Sequence, residues 1–224
     1  MNRLIPLAVR AAFAATSLAV AGCAYGAVES TVKIDNDAVR VLSVTYQPHD
    51  KSALHAHAGN RVVILLDAGH LATIYEDGRK EDKPWKAGEA RWVPMGPKHI
   101  GENTGSNPVR IVEVELKKPG SPVKRDPKMD PVAIDPKHNI LIFENDQVRV
   151  FRSWREPGGK EKMHEHAGTG RVAVFLTDLD VSVAEGNETS TLKAPAGDVR
   201  WSGPAVHAAT NLGKKFDMII VEVK

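Results

Sequence analysis

The chain has 224 residues, 30 of them basic and 28 acidic for a formal charge of +2, and 42% are hydrophobic. This composition suits one or two globular domains and excludes a disordered or collagen-like chain. It lacks the basic footprint of a nucleic-acid binder, and its single cysteine, Cys23, excludes an intrachain disulfide.

Residues 1–22 read as an export signal. Arg3 and Arg10 give a basic start, Ala11 to Val20 an apolar stretch, and Ala21-Gly22 small residues ahead of Cys23. The apolar stretch is shorter than the about 20 residues that a spanning helix needs. Val20-Ala21-Gly22-Cys23 resembles the bacterial lipobox, which implies a lipid on Cys23, a periplasmic location and attachment to the membrane through that lipid alone. The alternative is cleavage after Gly26, which would give a free soluble protein. Loss of residues 1–22 removes two arginines and no acids, leaving 28 basic and 28 acidic side chains. Residues 23–32 read as an N-terminal tether.

From residue 33 the pattern is that of strands. Val39 to Tyr46, Arg61 to Leu66, Leu71 to Tyr75 and Val109 to Leu116 are short runs rich in β-branched residues, punctuated by Gly, Pro, Asp or Asn. Asp77-Gly78 is a hairpin turn signal. Residues 118–136 hold five prolines and several lysines, and read as a linker strapped over the domains. This length also allows exchange between chains, so a homodimer is among the expectations. Strands resume with Val148 to Trp154, Arg171 to Leu176, Val181 to Ala184 and Phe216 to Val223. Beyond the signal no window sustains a helical apolar stripe.

The two halves repeat each other. Asp37-Ala38-Val39-Arg40-Val41 returns as Asp146-Gln147-Val148-Arg149-Val150, and Ala87-Gly88-Glu89-Ala90-Arg91-Trp92 returns as Ala196-Gly197-Asp198-Val199-Arg200-Trp201. A period of about 109 residues occurring twice indicates a duplicated domain rather than a solenoid. The histidines repeat as well: His55, His57 and His99 match His164, His166 and His207. Residues two apart on a strand share a face, so each His-x-His pair points one way. A third imidazole from another strand would complete a transition-metal site. Satisfied histidines in a polar barrel core are the alternative.

Gly88, Pro94, Gly96, His99 and Asn103 stand in register with the second sequence motif of the cupin superfamily, and His55-x-His57 resembles the opening of the first. The second half keeps His164-x-His166, Gly197, His207 and Asn211, with Gly203 in place of the proline. The text around Met163 to Thr177 also resembles small cupins linked to β-alanine degradation. The resemblance implies an all-β chain of two tandem cupin barrels, each a double-stranded β-helix or jelly roll, at 33–117 and 137–224. It further implies that His55, His57, His99, His164, His166 and His207 hold a divalent metal ion, whether Fe, Mn, Zn or Ni. Three-histidine centres occur among cupin dioxygenases and leave positions open for substrate.

Many cupins supply a glutamate shortly after the second histidine, but this chain has Arg61 and Arg171 there. Arginine cannot ligate a metal, and one pointing at the ion from about 5 Å would be repelled by roughly 3 kcal/mol at an effective dielectric of about 20. Either the arginines clamp a small carboxylate ligand in bidentate fashion, or they form buried ion pairs, Arg61 with Glu115 and Arg171 with Glu222. The complete second motif favours the clamp in the first barrel, and the pair is expected in the second. Glu102 is a further carboxylate candidate in the first half. Trp92 and Trp201 belong either to the barrel mouths or to the core, and His49, His70 and His138 read as exposed loop residues.

The leading expectation is an envelope-exposed bicupin that binds a divalent metal and acts on or senses a small organic acid. Enzymatic versions are of dioxygenase, decarboxylase, lyase or isomerase type. The alternatives are a non-catalytic ligand-binding lipoprotein with metal-free anion pockets, and a structural component of the envelope.

Overall fold

A computed structural model describes residues 28–224. The export signal and Cys23, with its expected lipid, lie outside the described residues. The first half forms β1 (Glu29–Asp35), β2 (Val39–Tyr46), β3 (Arg61–Leu65), β4 (Gly69–Tyr75), β5 (Lys80–Trp85), β6 (Ala90–Val93), β7 (His99–Asn103) and β8 (Val109–Leu116). A single helical turn, α1 (Pro131–Ile134), precedes β9 (Asn139–Glu144), β10 (Val148–Arg155), β11 (His164–His166), β12 (Gly170–Phe175), β13 (Leu179–Glu185), β14 (Glu188–Ala194), β15 (Val199–Ser202), β16 (Ala205–Asn211) and β17 (Phe216–Val223). Among the described residues no helix is long and apolar enough to cross a membrane.

The duplication is visible in the topology. One five-stranded sheet runs β1-β2-β8-β3-β6, and its counterpart runs β9-β10-β17-β12-β15 in the same order. The smaller sheets, β5-β4-β7 and β14-β13-β16-β11, also correspond, and an isolated bridge from His55 to His99 stands where β11 pairs with β16. Each half is therefore an antiparallel jelly roll, as the punctuated β-branched runs lead one to expect.

Strand alternation divides the hydrophobic residues into three cores. On β2 and β8, Val39, Val41, Val112 and Val114 face outwards and are fully buried against Val148, Val150, Ile219 and Val221 of the other half. The two large sheets thus pack back to back, each buried side chain contributing about 1.5–3 kcal/mol. Trp92 and Trp201 pack against this shared core, which settles them as core residues rather than mouth residues. The opposite faces fill the barrels: Leu42, Val44, Tyr46, Val63 and Leu65 in the first, Phe175, Leu179, Val181 and Phe216 in the second. A Cβ on Gly59 would lie 2.3 Å from the Leu116 carbonyl oxygen, and one on Gly168 2.5 Å from that of Val223, so the glycine after each His-x-His-Ala permits a close crossing.

Several boundaries differ from the sequence reading. Glu29 to Val32, read as tether, belong to β1, which is exposed for most of its length. β5 pairs with β4 across the Asp77-Gly78 turn but is charged, carries Pro84 and lies at a sheet edge, so it lacks the alternation that marks a strand. Residues 118–136 strap the second barrel. Asp130 caps α1 by accepting from Val132 N and Ala133 N and pairs with buried Arg149 at 2.8 Å, while Met129 O accepts from Glu165 N.

Candidate metal centres

In the first barrel, Nε2 of His55 and of His57 lie 3.2 Å apart, and His99 joins them so that the three ligand atoms all lie within 4.8 Å of one another. In the second, His164 and His166 approach at 3.1 Å and His207 completes the triplet. Two nitrogens bound at about 2.1 Å and at angles between octahedral and tetrahedral are about 3.0–3.4 Å apart. Both pairs fit this spacing.

The other ring nitrogens are held from behind. Nδ1 of His55 faces Ala53 O at 2.8 Å, that of His99 faces Pro97 O at 3.2 Å, and that of His164 faces Lys162 O at 2.8 Å. Nδ1 of His57 meets Glu115 at 2.7 Å, and Nδ1 of His166 meets Glu222 at 2.8 Å. A carbonyl can only accept, so Nδ1 of His55, His99 and His164 donates there and leaves Nε2 to face inwards, and the carboxyl groups of Glu115 and Glu222 orient His57 and His166 with Nε2 inwards as well. This is the orientation that outer hydrogen bonds impose on metal-ligating imidazoles. Nε2 of His207 is buried without a partner.

Burial disfavours the charged form of three of these rings. It holds His207 down at about 2 and drives His166 well below its ordinary value, with the neighbouring imidazoles and Arg171 adding to the effect. His99 is lowered for the same first reason. Glu115 is depressed by the His57 hydrogen bond, with Arg40 assisting against burial, whereas burial lifts Glu222 to about 7 despite Arg149 and Arg125.

No family model and no curated protein matches the chain. Solved structures do. The AerE protein of Microcystis aeruginosa superposes with a TM-score of 0.64 at 16% identity, over 88% of this chain and 92% of that one. A point mutant of Bacillus subtilis oxalate decarboxylase gives 0.62 at 12% identity, over 87% and 72%. A cupin 2 conserved barrel domain protein from Leptotrichia buccalis gives 0.52 at 10% identity, over 88% and 89%. This chain has the bicupin fold.

The arginines of the two barrels do not pair as the sequence suggests. Arg61 lies opposite Glu115 in the ladder, yet its Nε reaches Glu113 at 3.4 Å, while Glu115 is taken by His57 and by Arg40 at 3.2 Å. Arg61 Nη2 also stands 3.5 Å from His99 Nε2. Arg171 lies opposite Glu222 but donates to Gly203 O at 2.8 Å, and Glu222 is taken by His166, with Arg125 at 3.4 Å and Arg149 at 3.8 Å. Among the described residues no carboxylate stands within salt-bridge reach of Arg171. The expected pairs Arg61–Glu115 and Arg171–Glu222 are therefore replaced. The carboxylate-paired arginine is also in the first barrel, where Arg61 meets Glu113, and not in the second as expected.

Glu102 is three residues from His99 and faces the other side of β7, where Lys80 and Lys51 bind it at 2.8 and 3.2 Å. It is not a ligand candidate. Asn103 and Asn211 are structural: each is buried and its Nδ2 donates to three carbonyl oxygens, so the motif asparagine ties down the loop after its strand. His49 and His70 are exposed as expected, but His138 is half-buried against Trp154 and bonded to Asp135 at 2.9 Å.

Two residues escaped the sequence reading. Glu113, two positions before Glu115, shares its inward face and belongs to a second donor group with His57 and Glu115; period-two alternation from Glu115 would have found it. Glu161, three positions before His164, lines the second barrel with a carboxyl pushed upward by burial and stands 3.9 Å from Arg155. It lies outside any strand, so alternation carries no signal for it.

Proposed function

We propose that each histidine triplet holds a divalent first-row metal ion, and that the protein uses this centre to bind or transform a small organic acid. One observation carries the reading: in each barrel two inward Nε2 atoms face each other at 3.1–3.2 Å while their Nδ1 atoms are engaged from behind. Two lone pairs at that separation repel unless a cation lies between them. A shared proton would put a charge on a buried ring, which burial opposes most strongly in the second barrel. A metal ion serves both triplets, and imidazole donors suit Zn, Fe, Mn or Ni. A metal on three imidazoles retains open positions and supplies Lewis acidity there.

The protein's own side chains supply the rest. Glu115 and Glu222 fix the tautomer and aim of His57 and His166, and a guanidinium beside the triplet neutralises the ligand's carboxylate. The oxalate decarboxylase that shares the fold is named for a small organic acid, which supports the same broad substrate class here. The lipobox-like run ending in Cys23 supports an exported, lipid-anchored protein. Cys23→Ser would then shift the protein from the detergent phase to the aqueous phase of a phase separation.

The deciding experiment is elemental analysis of protein purified without chelators or an affinity metal. Up to two equivalents of a first-row metal are expected, with loss of one equivalent in His99→Ala or His207→Ala. Protein that stays metal-free after incubation with Fe(II), Mn(II), Zn(II) and Ni(II) would overturn the reading.

A further inference from the structure

We infer that the second barrel alone takes the organic anion, and that its ligand is a monocarboxylate with a short apolar body of about three to five carbon atoms. This inference rests on the function proposed above and deepens it. Three independent observations meet at the same cavity.

The first is charge. β3 pairs Val63 with Glu113, and β12 pairs Ala173 with Ile220, so Glu113 and Ile220 occupy equivalent diagonal positions beside Arg61 and Arg171. In the first barrel Glu113 sits 3.4 Å from the Arg61 guanidinium and neutralises it. Ile220 leaves Arg171 with a carbonyl oxygen as its hydrogen-bond partner and, among the described residues, no carboxylate within salt-bridge distance. Arg171 is buried and lines the cavity together with all three histidines. Arg171 feels Glu222, Glu185 and Glu161 only from beyond salt-bridge distance, so its burial is incompletely compensated, and an anionic ligand in direct contact removes the remaining cost. The carboxyl on this wall, Glu161, faces Arg155 at 3.9 Å.

The second is the wall. Beyond the histidines and Arg171 the cavity is lined mainly by apolar side chains such as Phe151, Phe175, Leu179, Val181, Phe216 and Met218, with Asn139, Ser153, Glu161, Arg200 and Ser202 as its other polar groups. The corresponding cleft of the first barrel is lined by Arg40, Lys51, Tyr46, Glu113 and Glu115 along with its aliphatic residues. Arg200 on this wall donates to Lys193 O and lies 3.9 Å from Asp198, so a second carboxylate on a ligand would meet mainly aromatic and aliphatic carbon and lose much of its hydration uncompensated.

The third is size. The second cavity measures about 100 Å³, with Pro131 of the strap at its edge, whereas the first barrel opens into a cleft of about 560 Å³. A dry cavity of about 150 Å³ accommodates benzene, which sets the length of the apolar body. The ligand's carboxylate meets Arg171 beside the triplet, and its short hydrocarbon part fills the space between the phenylalanines.

The test is calorimetric titration of the full chain with isovalerate, butyrate, succinate and butyramide, in both metal-loaded and metal-free forms with metal content measured on each sample. One isovalerate site is expected, binding at least about ten-fold tighter than succinate or butyramide, since a charge-assisted contact is at stake. Ile220→Glu, which gives Arg171 the partner that Arg61 has, should abolish it. Because that change places an acid in a core, Arg171→Gln provides a milder second variant, expected to weaken isovalerate about ten-fold or more with an unchanged melting profile. Glu113→Ile should leave the site unchanged. Equal binding of succinate, two equivalent sites, or full affinity in Arg171→Gln would overturn the inference. A metal-loaded protein that ignores all four ligands would overturn it while leaving the metal reading intact. Absence of metal would count against the metal reading alone, because the metal-free titration reads the anion site separately.

Discussion

The two barrels share strand order, histidine triplets and inward carboxylates, yet their interiors have diverged. Where the first has Tyr46, Ser52 and Glu113, the second has Arg155, Glu161 and Ile220. Arg61 is held by Glu113 and leans on His99 Nε2 at 3.5 Å, whereas His207 Nε2 is buried without a hydrogen-bond partner and, among the described residues, no acid lies within salt-bridge distance of Arg171. The complete sequence motif lies in the first barrel, but the more buried triplet and the unneutralised guanidinium lie in the second. Motif completeness reports on backbone requirements such as Gly88, whose φ is +75°, and the Asn103 loop tie. Which ligand a barrel accepts depends on inward side chains that the motif does not include.

Substitutions can break this comparison, and the largest effect should come from the strap. Asp130→Ala removes the cap of α1 and leaves buried Arg149 without its closest carboxylate, which should cost about 3–5 kcal/mol in denaturant unfolding. Burial raises Asp130, but the hydrogen bond and charge of Arg149 outweigh it and leave the group below its ordinary value of 3.8. Its stabilisation is therefore complete above that value and is lost as pH falls through the depressed one. Amide exchange should accordingly rise in β10 and the strap as the protein is acidified below about pH 4, and Asp130→Ala should show that rise already at neutral pH while β2 stays protected. Loosening of both barrels by Asp130→Ala at neutral pH would refute this asymmetry.

Next in size, His99→Ala and His207→Ala should each lower metal affinity at their own site by more than about 100-fold, because a direct ligand is lost where outer partners alone are worth about 10–100-fold. Competition with a chromophoric chelator separates the two sites. No arginine competes for His207 Nε2, but Arg171 repels a cation beside it, so Arg171→Gln should tighten metal at this site; an unchanged affinity would remove the physical basis of the comparison.

Smaller again are the arginines. Arg61→Ala strands Glu113 on an inward face and should cost about 1–3 kcal/mol. Arg171→Ala removes a bond to one carbonyl and should cost about 1 kcal/mol or less. Equal losses in thermal melting would restore the equivalence of the two sites. Glu102→Gln should have the least effect, under about 1 kcal/mol with unchanged metal content, since its lysine partners are solvent-exposed.

Much of this is legible in the chain itself. β2, β8 and β17 occupy the runs expected of them, because β-branched alternation between turn residues is a local property. The in-register repeat announces two domains of one topology, and the spacing of His55-x-His57 and His164-x-His166 fixes a common face for each pair. The strap is recognisable from its prolines as a linker, but not as the cover of one barrel in particular.

Tertiary structure decides the pairings. Equivalent positions in the two copies invite a pair between Arg61 and Glu115, yet a strand in mid-sheet has two neighbours. Glu115 lies across from Arg40 on one side and Arg61 on the other, and His57 takes it from above. Which neighbour wins depends on ladder register, on diagonal reach to Glu113 and on the back-to-back packing that turns Val112 and Val114 outwards. Periodicity along one strand sets the face of each side chain; the charge that it meets is set by another strand some fifty residues away, and only the folded sheet brings the two together.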